Sequence, residues 1–91
     1  MNKVVNVGII GYGVVGKGTV AALMDNFETV KRKTGIDIIV KGIADTKIDT
    51  VKDNYLPKVD ILTKDAMELI TNKDIHIIVE LVVFVLGLFE N

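Results

Sequence analysis

The sequence predicts an α/β fold, one half of a doubly wound parallel sheet with the order βαβαβ. Three observations point to it: short β-branched apolar runs recur along the chain, a long stretch with helical spacing lies between the first two, and a glycine cluster marks the first strand-to-helix junction.

Val4, Val5, Val7, Ile9 and Ile10 form the first run, ended by glycine, as expected of a strand buried on both faces of a parallel sheet. From Val14 the period changes. Val20, Leu23, Met24, Phe27 and Val30 fall on one stripe of a helix ending near Thr34-Gly35. Lys31, Arg32 and Lys33 in its last turn suit the negative end of the helix dipole, and Gly35 can adopt the left-handed cap. Ile36, Ile38, Ile39, Val40 and Ile43 then predict strand two, closed by Ala44-Asp45-Thr46. Residues 46 to 62, with the only proline, Pro57, read mostly as loop. Thr63 is expected to cap a short helix over Lys64 to Thr71, with Ala66, Met67, Leu69 and Ile70 available for packing. Ile75 to Leu81 reads as strand three. Strand, helix, strand, helix, strand is one half of a Rossmann sheet.

Ninety-one residues allow one small domain. Hydrophobic residues make up 49% and charged residues 25%, the balance of a folded globular chain. A net charge of −1 with dispersed Lys and Arg gives no electrostatic basis for nucleic-acid binding. There is no cysteine, hence no disulfide or thiolate chemistry. The first residues show no signal peptide, and a cytoplasmic location is expected. Ile75 to Phe89 is nearly all apolar, yet it is shorter than the roughly 20 residues of a membrane helix and contains His76 and Glu80, so no membrane partner is expected.

Gly11-Tyr12-Gly13-Val14-Val15-Gly16 is a G-x-G-x-x-G sequence directly after a strand and opening a helix, the setting of the dinucleotide fingerprint. Gly11 permits the tight turn, Gly13 lets backbone approach a pyrophosphate, and Gly16 allows close helix-strand packing. The helix-start N–H groups would hold the diphosphate. A glycine-rich turn with no ligand is the alternative. Asp45, at the end of strand two, stands where a carboxylate would accept from the adenosine ribose hydroxyls, and it favours NAD over NADP. Lys47, two residues on, partly offsets its charge, and a solvated strand-end aspartate is the other reading. His76 reads as a packed or edge histidine. Glu80 lies at the carboxyl end of strand three, where ligands bind such sheets. Asp49, Asp53, Asp60 and Asp65 have no metal-ligand spacing and read as surface charges, and no metal site is expected.

The run from Val5 through Gly18 resembles the opening of bacterial and archaeal homoserine dehydrogenases, which follow a V-x-V-G-[IL]-[IL]-G-x-G-x-V-G-x-G pattern. Thr34-Gly35-Ile36-Asp37-Ile38, Val40-Lys41-Gly42-Ile43-Ala44-Asp45 and Asp74-Ile75-His76-Ile77-Ile78-Val79-Glu80-Leu81 are similar to later parts of that family's nucleotide domain, so the resemblance covers residues 4 to 81. It implies NAD(P)-dependent interconversion of L-homoserine and L-aspartate 4-semialdehyde, on the way to threonine, methionine and isoleucine. It carries over Gly11 through Gly16 for the pyrophosphate, Asp45 for the ribose, and Glu80 and Leu81 for the nicotinamide side of the cleft.

After Leu81 the pattern departs. The family commonly has a pair of glycines there, whereas this chain has Val82-Val83-Phe84-Val85-Leu86. The family also continues into a substrate domain with a catalytic lysine and acidic residues. The expected organisation is a partial NAD(P)-binding domain over residues 1–81 and an apolar tail over 82–91, with no catalytic residue in the chain. A truncated or frameshifted reading frame, inactive alone, is the expectation; an NAD-sensing module and a nonfunctional remnant are the alternatives. A half sheet should also leave the first strand's outer edge unpaired, open to self-association.

Overall fold

Alternating β-branched residues extend Lys3–Ile10 into the first strand, β1, and the rest of the sheet is laid against it. In a computed structural model, residues 3–81 are described. Two helices follow β1: α1 (Val14–Asp25) and α2 (Phe27–Thr34). The chain then forms β2 (Ile36–Ala44), two 3-10 turns (Ile48–Thr50 and Leu56–Lys58), β3 (Ile61–Thr63), α3 (Ala66–Ile70) and β4 (Ile77–Glu80). All three strand pairings are parallel, in the spatial order β3-β2-β1-β4. The expected α/β half sheet is present, with one strand more than the sequence indicated.

Several local expectations are corrected. The single helix from Val14 to Thr34 is broken at Asn26, which has φ −104° and ψ 12°. Its side-chain amide donates to the Ala22 carbonyl at 2.8 Å, so the side chain competes with the backbone ladder where α1 ends. Gly35 caps α2 in the left-handed region as expected, at φ 74°, and its N–H donates to the Lys31 carbonyl. The last two residues of the expected loop join Thr63 in a strand, Ile61–Thr63, short enough to leave no periodic signal. Thr63 belongs to that strand and does not cap α3. Asp65 does, its Oδ1 accepting from the Met67 N–H at 2.9 Å. The Thr63 hydroxyl accepts from the Asp65 N–H and donates to the Glu68 carboxylate.

β1 is not an edge strand. Its second side is covered by β4, with Ile10 beside Glu80 and Ile9 beside Val79. Among the described residues β4 is the edge on that side, and its Ile77 and Ile78 are partly exposed.

Successive residues of a strand face opposite sides of the sheet. On one side Val7, Ile9, Val40 and Ile43 form the core with Val20 of α1. On the other, Gly8 and Gly42 stand side by side in β1 and β2. A Cβ on Gly42 would lie 2.5 Å from Leu69 Cδ2, so the missing side chain lets fully buried Leu69 seat α3 against the sheet. Helices therefore pack on both faces. Among the described residues no helix is long and apolar enough to cross a membrane. The expected tail over 82–91 lies outside the described residues.

Candidate functional site

The carboxyl ends of β1, β2 and β4 bring together the residues that the sequence singled out. After Ile10 the chain turns at Gly11, whose φ of +100° is accessible to glycine and rarely to other residues. The Gly11 N–H donates to the Ala44 carbonyl at 2.8 Å, which continues the ladder onto β2. A Cβ here would also lie 2.6 Å from the Leu81 carbonyl oxygen. Leu81 is fixed on its other side by an N–H bond to the Ile10 carbonyl at 2.8 Å. Gly16, one turn into α1, presses on the same turn: a Cβ there would be 2.1 Å from the Gly11 carbonyl oxygen. Both glycines are demanded by the protein's own packing.

Gly13 is different. It is the N-cap of α1 with ordinary extended backbone, φ −83° and ψ −155°, and a Cβ built on it meets nothing within 4 Å. Nothing inside the described protein requires glycine here; only an approach from outside would. No side chain caps this helix end, and its first turn carries no acid. Val14 is 90% exposed beside it, and Val15 is exposed too. Unpaired N–H groups and the positive end of the dipole make such a terminus attractive to anions.

Asp45 follows the last residue of β2 and faces this turn. Its Oδ2 accepts from the Tyr12 N–H at 2.7 Å and its Oδ1 from the Lys47 N–H at 2.8 Å. Those two bonds, the Tyr12 one first, hold the carboxyl below its usual pKa and so keep it ionised. Ile10, Gly11, Ala44, Asp45, Thr46, Lys64 and Ala66 line a cleft of about 220 Å³ at the end of the two strands. Lys64 on its wall pairs with Asp49 at 3.0 Å.

The remaining sequence candidates divide. Glu80 is exposed at the end of β4 beside Ile10, and Leu81 packs against the core next to Gly11. The Tyr12 side chain is only 2% exposed, and its hydroxyl donates to Asp53 Oδ2 at 2.6 Å. Burial, then the Asp53 carboxylate, raises the phenol's pKa. Asp53, read from sequence as a surface charge, is thus a structural acceptor that the sequence did not reveal. The phenol that finds it lies 41 positions away. His76 is exposed and its Nδ1 accepts from the Asn6 N–H at 2.8 Å. Among the described residues no cluster of His, Cys, Asp or Glu could hold a metal ion.

Two outcomes follow from this geometry. Gly16→Ala should lower unfolding stability by about 3 kcal/mol or more, because backbone meets backbone and no rotamer relieves it. Gly13→Ala should cost less than about 1 kcal/mol, and urea midpoints measured side by side would reverse the assignment if the two variants behaved alike. Asp45 has a folded pKa below its ordinary 3.8, so its contribution is present above that value and is lost as pH falls through the folded pKa. Wild type should therefore exceed Asp45→Asn in stability at pH 7, with the gap narrowing below about pH 4. A gap constant from pH 7 to 2.5 would show that the carboxylate charge is not what the two N–H groups stabilise.

No protein-family profile matches the chain. It is 35% identical over 79 residues to homoserine dehydrogenase of Neisseria gonorrhoeae, covering 87% of this chain and 18% of that protein. With homoserine dehydrogenase of Methylobacillus glycogenes it shares 35% over 80 residues, 88% of this chain and 19% of the relative. In structure it superposes on crystalline homoserine dehydrogenase of S. aureus with a TM-score of 0.81 and 26% identity, over 88% of this chain and 20% of that one. The chain thus spans about a fifth of the length of the curated relatives it matches. In sequence and in fold alike, it is related to the N-terminal part of the homoserine dehydrogenase family.

Proposed function

We propose that this chain binds NAD or NADP at the carboxyl edge of its sheet, as the nucleotide-binding segment of a homoserine dehydrogenase. The observation that carries the proposal is the open end of α1: Gly13 with free space where a Cβ would stand, no side-chain cap, and the ionised Asp45 across the turn. That donor set fits a dinucleotide. Backbone N–H groups from Gly13 through Gly16 would take the diphosphate, with Gly11 shaping the turn and Val14 and Val15 flanking it. Asp45 would take the adenosine ribose. Each of its oxygens accepts one N–H and retains a lone pair for a hydroxyl. The backbone of Tyr12 would serve the site by orienting that carboxylate. Glu80 and Leu81 are assigned to the nicotinamide side.

NAD is favoured over NADP because a 2′-phosphate would be set against an ionised carboxylate. Lys47 partly offsets this, while Lys64 is already engaged by Asp49. The bound cofactor supplies hydride transfer between L-homoserine and L-aspartate 4-semialdehyde in a complete enzyme, and we expect no turnover from this chain alone. Residues 1–81 are proposed as the nucleotide-binding unit, in a cytoplasmic setting.

Titration of the chain with NADH, followed by nicotinamide fluorescence, should saturate. Gly13→Val should abolish binding with helix content unchanged, since the new side chain fills the approach. Asp45→Ala should weaken NADH more than NADPH. Equal affinity of wild type and Gly13→Val would remove the site from α1. Self-association through the β4 edge is part of the same proposal, because partly exposed Ile77 and Ile78 flank backbone that lacks a pairing strand among the described residues. Light scattering during size-exclusion chromatography should show species larger than one chain; a monodisperse monomer at high concentration would overturn that element alone.

A further inference from the structure

Tyr12 lies inside the glycine-rich turn, yet its side chain points into the core. It packs there with Ile48, Leu56 and Val59, all from the segment joining β2 to β3. Both of its ends are held by carboxylates of that segment. The backbone N–H donates to Asp45 at its start, and the phenol donates to Asp53 in its middle. Asp53 is itself anchored: its Oδ1 accepts from the N–H groups of Tyr55 at 3.0 Å and Leu56 at 2.9 Å, where the second 3-10 turn begins. Burial works to raise the Asp53 pKa, but the Tyr12 hydroxyl, the two N–H groups and the Lys17 charge outweigh it and hold the carboxyl ionised. A second phenol, Tyr55, ties the same segment to the far end of α1 through Asp25.

We propose that Tyr12 is a positioning residue for dinucleotide binding: its hydroxyl bond to Asp53 fixes the β2–β3 segment against the glycine-rich turn and thereby holds Asp45 in its binding orientation. The proposal rests on the nucleotide-binding reading above. The physical reason is the short path between the two bonds. If the phenol is released, the 46–60 segment keeps its apolar packing but loses its charge-assisted link to the turn, and Asp45 is then aligned with that turn only at the segment's start, by the Tyr12 N–H and by the neighbouring Gly11 to Ala44 bond. Asp45 then samples orientations that a ribose hydroxyl does not match, and binding weakens although the fold persists.

The test compares NADH affinity in wild type, Tyr12→Phe, Asp53→Asn and Tyr55→Phe, each at a temperature where urea titration shows it folded. Tyr12→Phe and Asp53→Asn should each weaken NADH by about five- to tenfold, and the double variant should be no weaker than the worse single one. Tyr55→Phe removes a hydroxyl bond from the same segment away from the turn, so it should lower the urea midpoint with affinity changed less than about twofold. A role in stability only would lower the midpoints of all three variants and leave affinity untouched. That result, or additive losses in the double variant, overturns the proposal. Should Tyr12→Phe fail to fold, hydrogen exchange on wild type decides: NADH should slow the Tyr55 and Leu56 amides that Asp53 holds, and unchanged exchange at both refutes it. Failure of wild type to bind NADH overturns the nucleotide reading itself, whereas wild-type binding with unaltered variants overturns only the role of Tyr12.

Discussion

The contact between Gly16 and the carbonyl of Gly11 sets the geometry of the rest. With no Cβ at Gly16, α1 settles directly on the turn that leaves β1; a single methyl there would lie 2.1 Å from the carbonyl oxygen. The closeness of helix and turn fixes where the N-terminus of α1 points, and it points out over the carboxyl edge of the sheet. Gly11 completes the constraint from the other side, because its positive φ brings the chain around while the Leu81 carbonyl closes over it. Gly11 is thus pressed by backbone from α1 on one side and by the Leu81 carbonyl, seventy positions along the chain, on the other. Such a junction tolerates almost no substitution, whereas Gly13, between Gly11 and Gly16, is under no internal pressure.

Charge is arranged around this junction with the same economy. Two carboxylates of the β2–β3 segment, Asp45 and Asp53, each accept from Tyr12 and from neighbouring backbone N–H groups. A buried phenol must find an acceptor, and an ionised carboxylate at 2.6 Å is a strong one. Among the described residues no buried side-chain nitrogen or oxygen is without a partner. Between β2 and β3 the chain is held largely by side chains: Ile48, Leu56 and Val59 fill the core while Asp53 and Tyr55 fasten its polar groups.

The parts legible in the sequence are those governed by local periodicity. β1, β2 and the glycine cluster are signalled by runs whose period and punctuation lie within a dozen residues, and Gly35 marks the end of α2 by the same kind of signal. What was illegible depends on partners distant along the chain. β3 has three residues, too few to show alternation, and exists because Gly42, Ile43 and Ala44 pair with it. The break at Asn26 comes from one side-chain amide choosing the Ala22 carbonyl, which the apolar stripe does not encode. Asp53 looked like any exposed acid until the fold brought Tyr12 over it. Thr63 and Asp65 are both good cap residues, and only the extension of β3 decides between them.

The division between binding and catalysis in a dehydrogenase gives these features their proportion. Groups that hold the diphosphate and ribose of a dinucleotide contact the same atoms before, during and after hydride transfer, so they bind ground and transition states about equally. Interactions of that kind confer affinity and no rate. In the proposed site, Gly13, the α1 terminus and Asp45 all belong to this class, and they are assembled within residues 11 to 45 by one turn, one helix and one strand. Rate enhancement requires additional groups aimed at the reacting carbon and at the oxygen whose charge changes. In the proposed reading, a half sheet of this design places a cofactor, and any hydride transfer would depend on groups outside residues 11 to 45.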